Sequence, residues 1–419
     1  MKIAHVVTYV SPDGAFGGPV RVALGQAGAL AERGHDVTVY AAAPPALAGT
    51  SSVDGYTLKT FPARRLAPGR GFAAMAAPQL TRALSAEAAS FDVAHIHLAR
   101  DLVTLPAARQ FWLARVPYFA QPHGMINVSD NPLAKPLDAI VTRTLLRDAQ
   151  MVLTLTDREV NDITAIEAAA RTAPISNGIR IDEPAPYEGR ENVVLFLARL
   201  HPRKRPLAFV EMAKGLKDAL PATRFVLAGP DGGEGAAVRA AIADAGMGDR
   251  LKWIGAVSPD DTEALLASVQ AYVLPAVGEV FPMTILESLR VGTPVVTTHS
   301  LDIASECERF GAAVITDGSP EELAEAVTRV LLADAESSRL RAGGQSFLRE
   351  KLDIARVAET LEALYVDQVA AISQRGSASF RLMRQDNGSD SSSGSAAPST
   401  NDGPLLSDSP TRSAEQSSD

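Results

Sequence analysis

The feature that most constrains this chain is a repeated alternation. Short apolar runs rich in Val, Ile and Ala are separated by helix-length segments, and the pattern occurs twice. The first set is KIAHVVT (Lys2–Thr8), DVTVYA (Asp36–Ala41), VAHIH (Val93–His97), YFA (Tyr118–Ala120) and MVLT (Met151–Thr154). The second is VVLFLA (Val193–Ala198), RFVLA (Arg224–Ala228), LKWI (Leu251–Ile254), AYVL (Ala271–Leu274) and PVVTT (Pro294–Thr298). Runs that are apolar on both faces suit strands covered by helices on both sides, which is the β-α-β pattern of a parallel sheet. The expectation is an α/β chain of two Rossmann-like, doubly wound domains facing a cleft, since ligands of such sheets gather at the carboxyl ends of the strands.

At 419 residues the chain is long enough for more than one core. The expected division is a first domain over 1–187, a second over 188–352, a terminal helix over 353–373 and a disordered tail over 374–419. The Pro- and charge-rich stretch IRIDEPAPYEGREN marks the join. Apolar residues at Val357, Leu361, Leu364, Val369 and Ile372 give the terminal helix one buried face, which fits a helix that crosses back toward the first domain. The tail has 13 Ser in 46 residues and few periodic apolar positions, too little apolar area to offset its ordering entropy.

Composition removes several classes of function. Cys307 is the only cysteine, which excludes a disulfide scaffold and a Cys-ligated zinc or iron–sulfur centre. Forty Lys and Arg against forty-nine Asp and Glu leave a net charge of -9, with no basic tract, so no nucleic-acid partner is expected. The opening MKIAHVVTYV reads as a strand, not a signal peptide, and no apolar run is long enough to span a bilayer. The expected location is the cytoplasm. Peripheral association with the inner membrane face stays open, because Arg64, Arg65, Arg70 and Arg82 flank GFAAMAAPQLTRALSAEAA, a stretch able to form an amphipathic helix; an ordinary surface helix is the favoured reading.

Three stretches carry chemistry. After the first strand, a loop with Gly14, Gly17 and Gly18 leads into a helix, and bare amides at a helix start make a natural anion site. Its spacing is not G-x-G-x-x-G and no Walker lysine follows, which demotes a nicotinamide site and excludes a P-loop; a turn demanded by packing is the alternative. The strand VVLFLARL delivers Arg199, with Lys204 five residues later, two cations able to hold a diphosphate, against the alternative of a solvated basic cluster. Arg203 and Arg205 are expected to face solvent. In VLPAVGEVFPMTILESLRVGTPVV, Glu279 falls in a loop before a helix and Glu287 within that helix.

Glu-x7-Glu in this setting, with Arg199 and Lys204, resembles the retaining family 4 glycosyltransferases of the GT-B fold. The resemblance runs from residue 1 to about 373 through the GG loop, FDVAHIHL, QPHG, ISNGIRID, ARLHPRK and LAGP. It implies transfer of a hexose from a nucleotide diphosphate sugar to a glycan or lipid-linked acceptor, with no cofactor and no metal. It also implies roles: Glu287 on the donor ribose, Arg199 and Lys204 on the diphosphate, and Glu279 with the amides near Phe281 and Met283 on the donor sugar. His123 of QPHG would lie by the reacting sugar and the Gly17–Gly18 amides by the distal phosphate. Read without the family, His123 is a strand-end residue capping a turn. His95 and His97 share one strand face and could ligate a metal, but they match a strand-end signature of the family, and none is assigned.

Three departures from the family pattern bear on the donor pocket: Val280 and Ala198 replace glycines, and THSLDIASE lacks a Gly-Gly pair. Two other readings remain, a GT-B relative with phosphorylase or epimerase chemistry and a non-catalytic nucleotide-binding partner of a transferase.

Overall fold

The ten apolar runs all become strands, and others join them. The computed structural model describes residues 1–10, 17–66, 74–129 and 134–386, the last fifteen of these by their backbone alone. In the first part the strands are β1 (Lys2–Tyr9), β2 (Asp36–Ala43), β3 (Gly49–Val53), β4 (Tyr56–Pro62), β5 (Arg64–Arg65), β6 (Met75–Ala76), β7 (Val93–Ile96), β8 (Tyr118–Ala120), β9 (Met151–Thr154) and β10 (Thr172–Pro174). Eight of them form one sheet in the order β10-β9-β8-β7-β1-β2-β4-β3, while β5 and β6 pair separately. In the second part, β11 (Glu191–Leu197), β12 (Arg224–Ala228), β13 (Leu251–Trp253), β14 (Val269–Leu274), β15 (Val295–Thr298) and β16 (Ala313–Thr316) form a sheet in the order β13-β12-β11-β14-β15-β16. Every pair in the two large sheets is parallel except β3–β4.

That exception is a hairpin which the strand pattern above did not include. Asp54 and Gly55 both take positive φ, 44° and 81°, as a tight two-residue Asp-Gly hairpin turn requires. β3 is polar and mostly exposed, so it carries little apolar signal. The stretch considered for an amphipathic helix divides differently: Met75–Ala76 is a strand, and the helix starts at Pro78, whose fixed φ suits a first turn, and runs to Glu87. Its first residues, with Arg70, lie outside the described residues.

In each sheet the order reverses beside the first strand of its set, β1 or β11. This places the carboxyl ends of β1 and β11 at topological switch points. Residues 1–369 make one compact unit. Within it the linker is stitched to the start of the terminal helix: Ile179 N–H donates to Leu352 O at 2.8 Å, and Ile354 N–H donates to Ile179 O at 3.1 Å. From there Ile354, Val357, Ala358, Leu361 and Tyr365 pack in one core with Ile3, Val7, Val93 and Phe119 of the first sheet. The helix runs from Ile354 to Asp386, so residues 374–386, expected in the tail, are helical. Their sequence QRGSASFRLMRQD is rich in good helix formers, and the dense Ser run begins only after it. The remainder of the expected tail, 387–419, lies outside the described residues.

Candidate active site

The two switch points open on one cavity of about 410 Å³. Its first wall holds Val7, Thr8 and Tyr9 from the end of β1, Gly18 and Arg21 from the helix Gly17–Glu32, and His123, Gly124 and Asn177. Its second wall holds Ala198, Arg199, Arg203, Lys204, Gly229 and the stretch Glu279–Thr284. Of the residues singled out in the sequence, Gly18, His123, Arg199, Lys204, Glu279, Phe281 and Met283 line this one space.

Gly17 and Gly18 are the first residues of their helix, whose leading amides have no intrahelical acceptor. A Cβ on Gly18 would meet nothing within 4 Å, and its φ is not positive, so packing does not demand glycine there. Gly18 lines the cavity, and a side chain there would take up open space beside the helix start.

On the second wall, β11 ends at Leu197 and a short 3₁₀ turn, Pro202–Lys204, follows. Lys204 Nζ sits 2.9 Å from Glu279 Oε2. Burial pulls the Lys204 ammonium below its ordinary pKa, and the Glu279 carboxylate works against that shift. Arg203 is exposed, as expected, and its guanidinium also donates to Gly278 O and lies 3.7 Å from Glu279 Oε1. Arg205 takes φ 53° and turns toward Gly318 instead of the cavity. The glycine of LAGP has a sharp requirement, since a Cβ on Gly229 would fall 2.0 Å from Ala198 O. Similarly, a Cβ on Gly232 would strike the Arg199 stem at 2.7 Å, so these glycines let the Arg199 strand end lie flat.

The helix Met283–Arg290 starts at the cavity; Ile285 N–H donates to Pro282 O at 3.1 Å, and the amides of Met283 and Thr284 precede any intrahelical acceptor. Glu287, on its buried face, pairs with Arg21 of the first wall, and Arg21 also reaches Thr262 Oγ1 at 3.4 Å. Burial pushes the Glu287 carboxyl up from its ordinary pKa while Arg21 opposes the shift. Arg21 is a residue that the sequence analysis did not select. Its signal is the arginine three positions after Gly18, but its partner lies 266 positions away.

His123 sits in left-handed backbone, φ 53°, next to Gly124 at φ 72°. Glu159, buried, holds the turn by accepting from Gly124 N at 2.6 Å and Leu155 N at 2.7 Å. A Cβ on Gly124 would lie 2.6 Å from Val280 Cγ2, so Val280 closes the cavity against this turn. The motifs are joined beneath it: Gln26 Nε2 donates to Gln121 Oε1 at 3.2 Å, and Gln121 Nε2 donates to Asn177 Oδ1 at 3.3 Å.

His5, His95 and His97 stand side by side because β1 and β7 pair in a register that sets His5 opposite His95. Each offers one nitrogen within 4.8 Å of the others, the group among the described residues able to hold a metal. Two of those rings already bond each other, His5 Nδ1 to His97 Nε2 at 3.2 Å, so a cation there would have to displace that bond.

Residues 17–178 match the family described as glycosyl transferase 4-like domain, and residues 180–347 match glycosyl transferases group 1. The chain belongs to the family 4 glycosyltransferases of the GT-B fold. It is 28% identical over 282 residues to a 2-deoxystreptamine glucosyltransferase of Streptomyces kanamyceticus, a match covering 60% of this chain and 71% of that one. With a D-inositol 3-phosphate glycosyltransferase of Mycobacterium avium it shares 25% over 283 residues, 62% of each chain, which is less than two thirds of that relative's length. Among solved structures, sucrose-phosphate synthase from Thermosynechococcus elongatus superposes with a TM-score of 0.68 at 17% identity, covering 88% of this chain and 99% of the other. HepE of Anabaena in complex with UDP and glucose gives 0.67 at 18%, covering 87% and 98%. These two likenesses show the fold. As a glycosyltransferase with this architecture, the chain has no helix among the described residues long and apolar enough to cross a membrane.

Proposed function

We propose that this glycosyltransferase moves a hexose from a nucleotide diphosphate sugar to a glycan or lipid-linked acceptor, with retention of anomeric configuration and without a metal. One observation carries the reading: Arg199, Arg203, Lys204 and Glu279 gather on one wall of a cavity whose other wall presents the start of the helix Gly17–Glu32. Cations and a helix start facing one space suit a diphosphate and the charge that builds on it as the sugar leaves. The printed ligands of HepE, UDP and glucose, are of that class.

In this reading Arg199 and Lys204 neutralise the leaving diphosphate, and Lys204 trades part of its bond with Glu279 for the phosphate. Glu279 and the amides at Phe281 and Met283 hold the sugar hydroxyls, and His123 stands at the sugar from the first wall. Glu287 takes the ribose hydroxyls, exchanging its present contact with Arg21. The bond from the anomeric carbon to the diphosphate oxygen breaks, and the acceptor oxygen joins the same face. The acceptor's proton leaves with the diphosphate, so charge neutralisation comes from the protein's own cations and amides.

A thermal-shift screen of the full chain against UDP, GDP, ADP and their sugars tests this, repeated with Glu287→Ala. A selective rise in Tm, lost in the variant, supports the donor site. NMR of the product's anomeric carbon then reports retention or inversion. No shift with any nucleotide from folded protein favours a non-catalytic partner, and turnover that consumes phosphate favours a phosphorylase.

A further inference from the structure

Behind the cavity wall, three imidazoles form a continuous hydrogen-bonded chain. His97 Nδ1 lies 2.8 Å from His123 Nε2, and His97 Nε2 lies 3.2 Å from His5 Nδ1. Neighbouring groups brace the rings. His95 stacks on His97 with planes 2° apart and centroids at 4.6 Å, and Tyr365 of the terminal helix fixes His95 through a 2.6 Å bond to Nδ1. The turn under His123 is held by Glu159. Desolvation keeps His5 and His123 down at about 3 and His97 well below the ordinary imidazole value, so all three are neutral at pH 7.

A neutral imidazole has one N–H and one bare nitrogen. Because His97 uses both of its nitrogens, it gives a hydrogen bond on one side and takes one on the other. Only two arrangements satisfy the chain. In the first, His5 Nδ1–H donates to His97 Nε2, His97 Nδ1–H donates to His123 Nε2, and His123 carries its proton on Nδ1. In the second, every bond is reversed: His123 Nε2–H donates to His97, His97 Nε2–H donates to His5 Nδ1, and His123 Nδ1 is bare. The nitrogens at the two ends, His5 Nε2 and His123 Nδ1, are buried and make no hydrogen bond among the described residues. Neither end therefore locks the direction.

We infer that His97 and His5 are positioning residues for His123, and that together the three rings form a two-state array whose direction sets whether His123 carries its proton on Nδ1 or on Nε2. The array lets His123 change which nitrogen is protonated without taking on charge. This rests on the transferase reading in one respect only, that His123 stands at the sugar.

The test uses the full chain with its histidines labelled with ¹⁵N. Imidazole nitrogen shifts report directly which nitrogen of each ring is protonated. The expected spectrum has His5, His97 and His123 neutral at pH 7 with their protons in one of the two coherent patterns, or in exchange between both. A charged ring among the three, or two N–H groups facing each other in the chain, would overturn the array. Kinetics with the nucleotide sugar found by the screen give the second readout. Losing the partner that orients a metal-bound imidazole costs about 10- to 100-fold in activity; by analogy His97→Phe should lower kcat by that order with the donor KM little changed. His97→Gln, which keeps a donor and an acceptor on one side chain, should recover part of the loss. If folded His97→Phe keeps the wild-type kcat, His97 does not position His123. If His97→Phe fails to fold, the wild-type spectrum and His97→Gln decide. Absence of turnover in wild type would count against the transferase reading, while the nitrogen shifts would still judge the array.

Discussion

The two walls of the cleft solve different problems. The first is built mainly from neutral groups, His123 with the buried histidines behind it, Asn177 at the end of the Gln26–Gln121–Asn177 chain and the helix start at Gly18, with Arg21 reaching across to the other side. The second concentrates charge in Arg199, Arg203, Lys204 and Glu279, while Glu287, buried and outside the cavity lining, pairs with Arg21. The second wall keeps partly buried charge by pairing it, as Glu279 does for Lys204, whereas neutral polar groups can be buried and fixed at modest cost once hydrogen-bonded. The contrast fits a second wall that manages a diphosphate and a first wall that orients hydroxyls.

Acid should separate the walls most strongly. Each buried histidine has a folded pKa below its unfolded value near 6.5, so the unfolded chain takes up protons first. Their contribution to stability is present above pH 6.5 and drains away as the pH falls toward the folded values. Between pH 7 and 5.5 this comes to about 1 kcal/mol for each of the four rings. Urea unfolding at the two pH values measures the loss, and hydrogen exchange should show the first sheet opening ahead of the second; equal opening would erase the comparison. Next in size is Arg199→Ala, expected to lower kcat on the order of 10²-fold or more while leaving the acid response unchanged. Glu287→Ala should weaken nucleotide binding by about 10- to 100-fold, the worth of charge-assisted bonds to ribose, read by calorimetry. Smallest is Gly18→Ala: its Cβ meets nothing, so unfolding free energy should stay within about 0.5 kcal/mol, while donor affinity falls if the amides face a phosphate. An unaltered affinity would remove that wall from donor binding.

Much of this molecule is legible in its sequence. The buried parallel strands announce themselves as apolar runs, and the charged second wall sits in two short segments, 199–204 and 279–287, where local spacing carries the information. The hairpin β3–β4 escaped because β3 is polar, although Val53-Asp54-Gly55-Tyr56 held a turn signal. The first wall was harder for a different reason. His5 meets His95 only through the register of β1 on β7, and Arg21 meets Glu287 only once the halves close. Neither distance is written in any local window. Arg203 is exposed, as expected, but its bond to Gly278 O joins segments 75 positions apart and is written in no local window.

The path of the terminal helix has a consequence for synthesis. Strands β1, β7 and β8 leave the ribosome early, yet the residues that cover one side of them, Ile354 to Tyr365, are made after the entire second sheet. Domains emerging at about 5–20 residues per second ordinarily fold in order. Here the first sheet must wait, part of its apolar face and its buried histidines open to water, until the second has been translated. Completion of the earlier half is thus timed by the later one, and a nascent chain stalled before Ile354 should remain sensitive to protease in its first sheet.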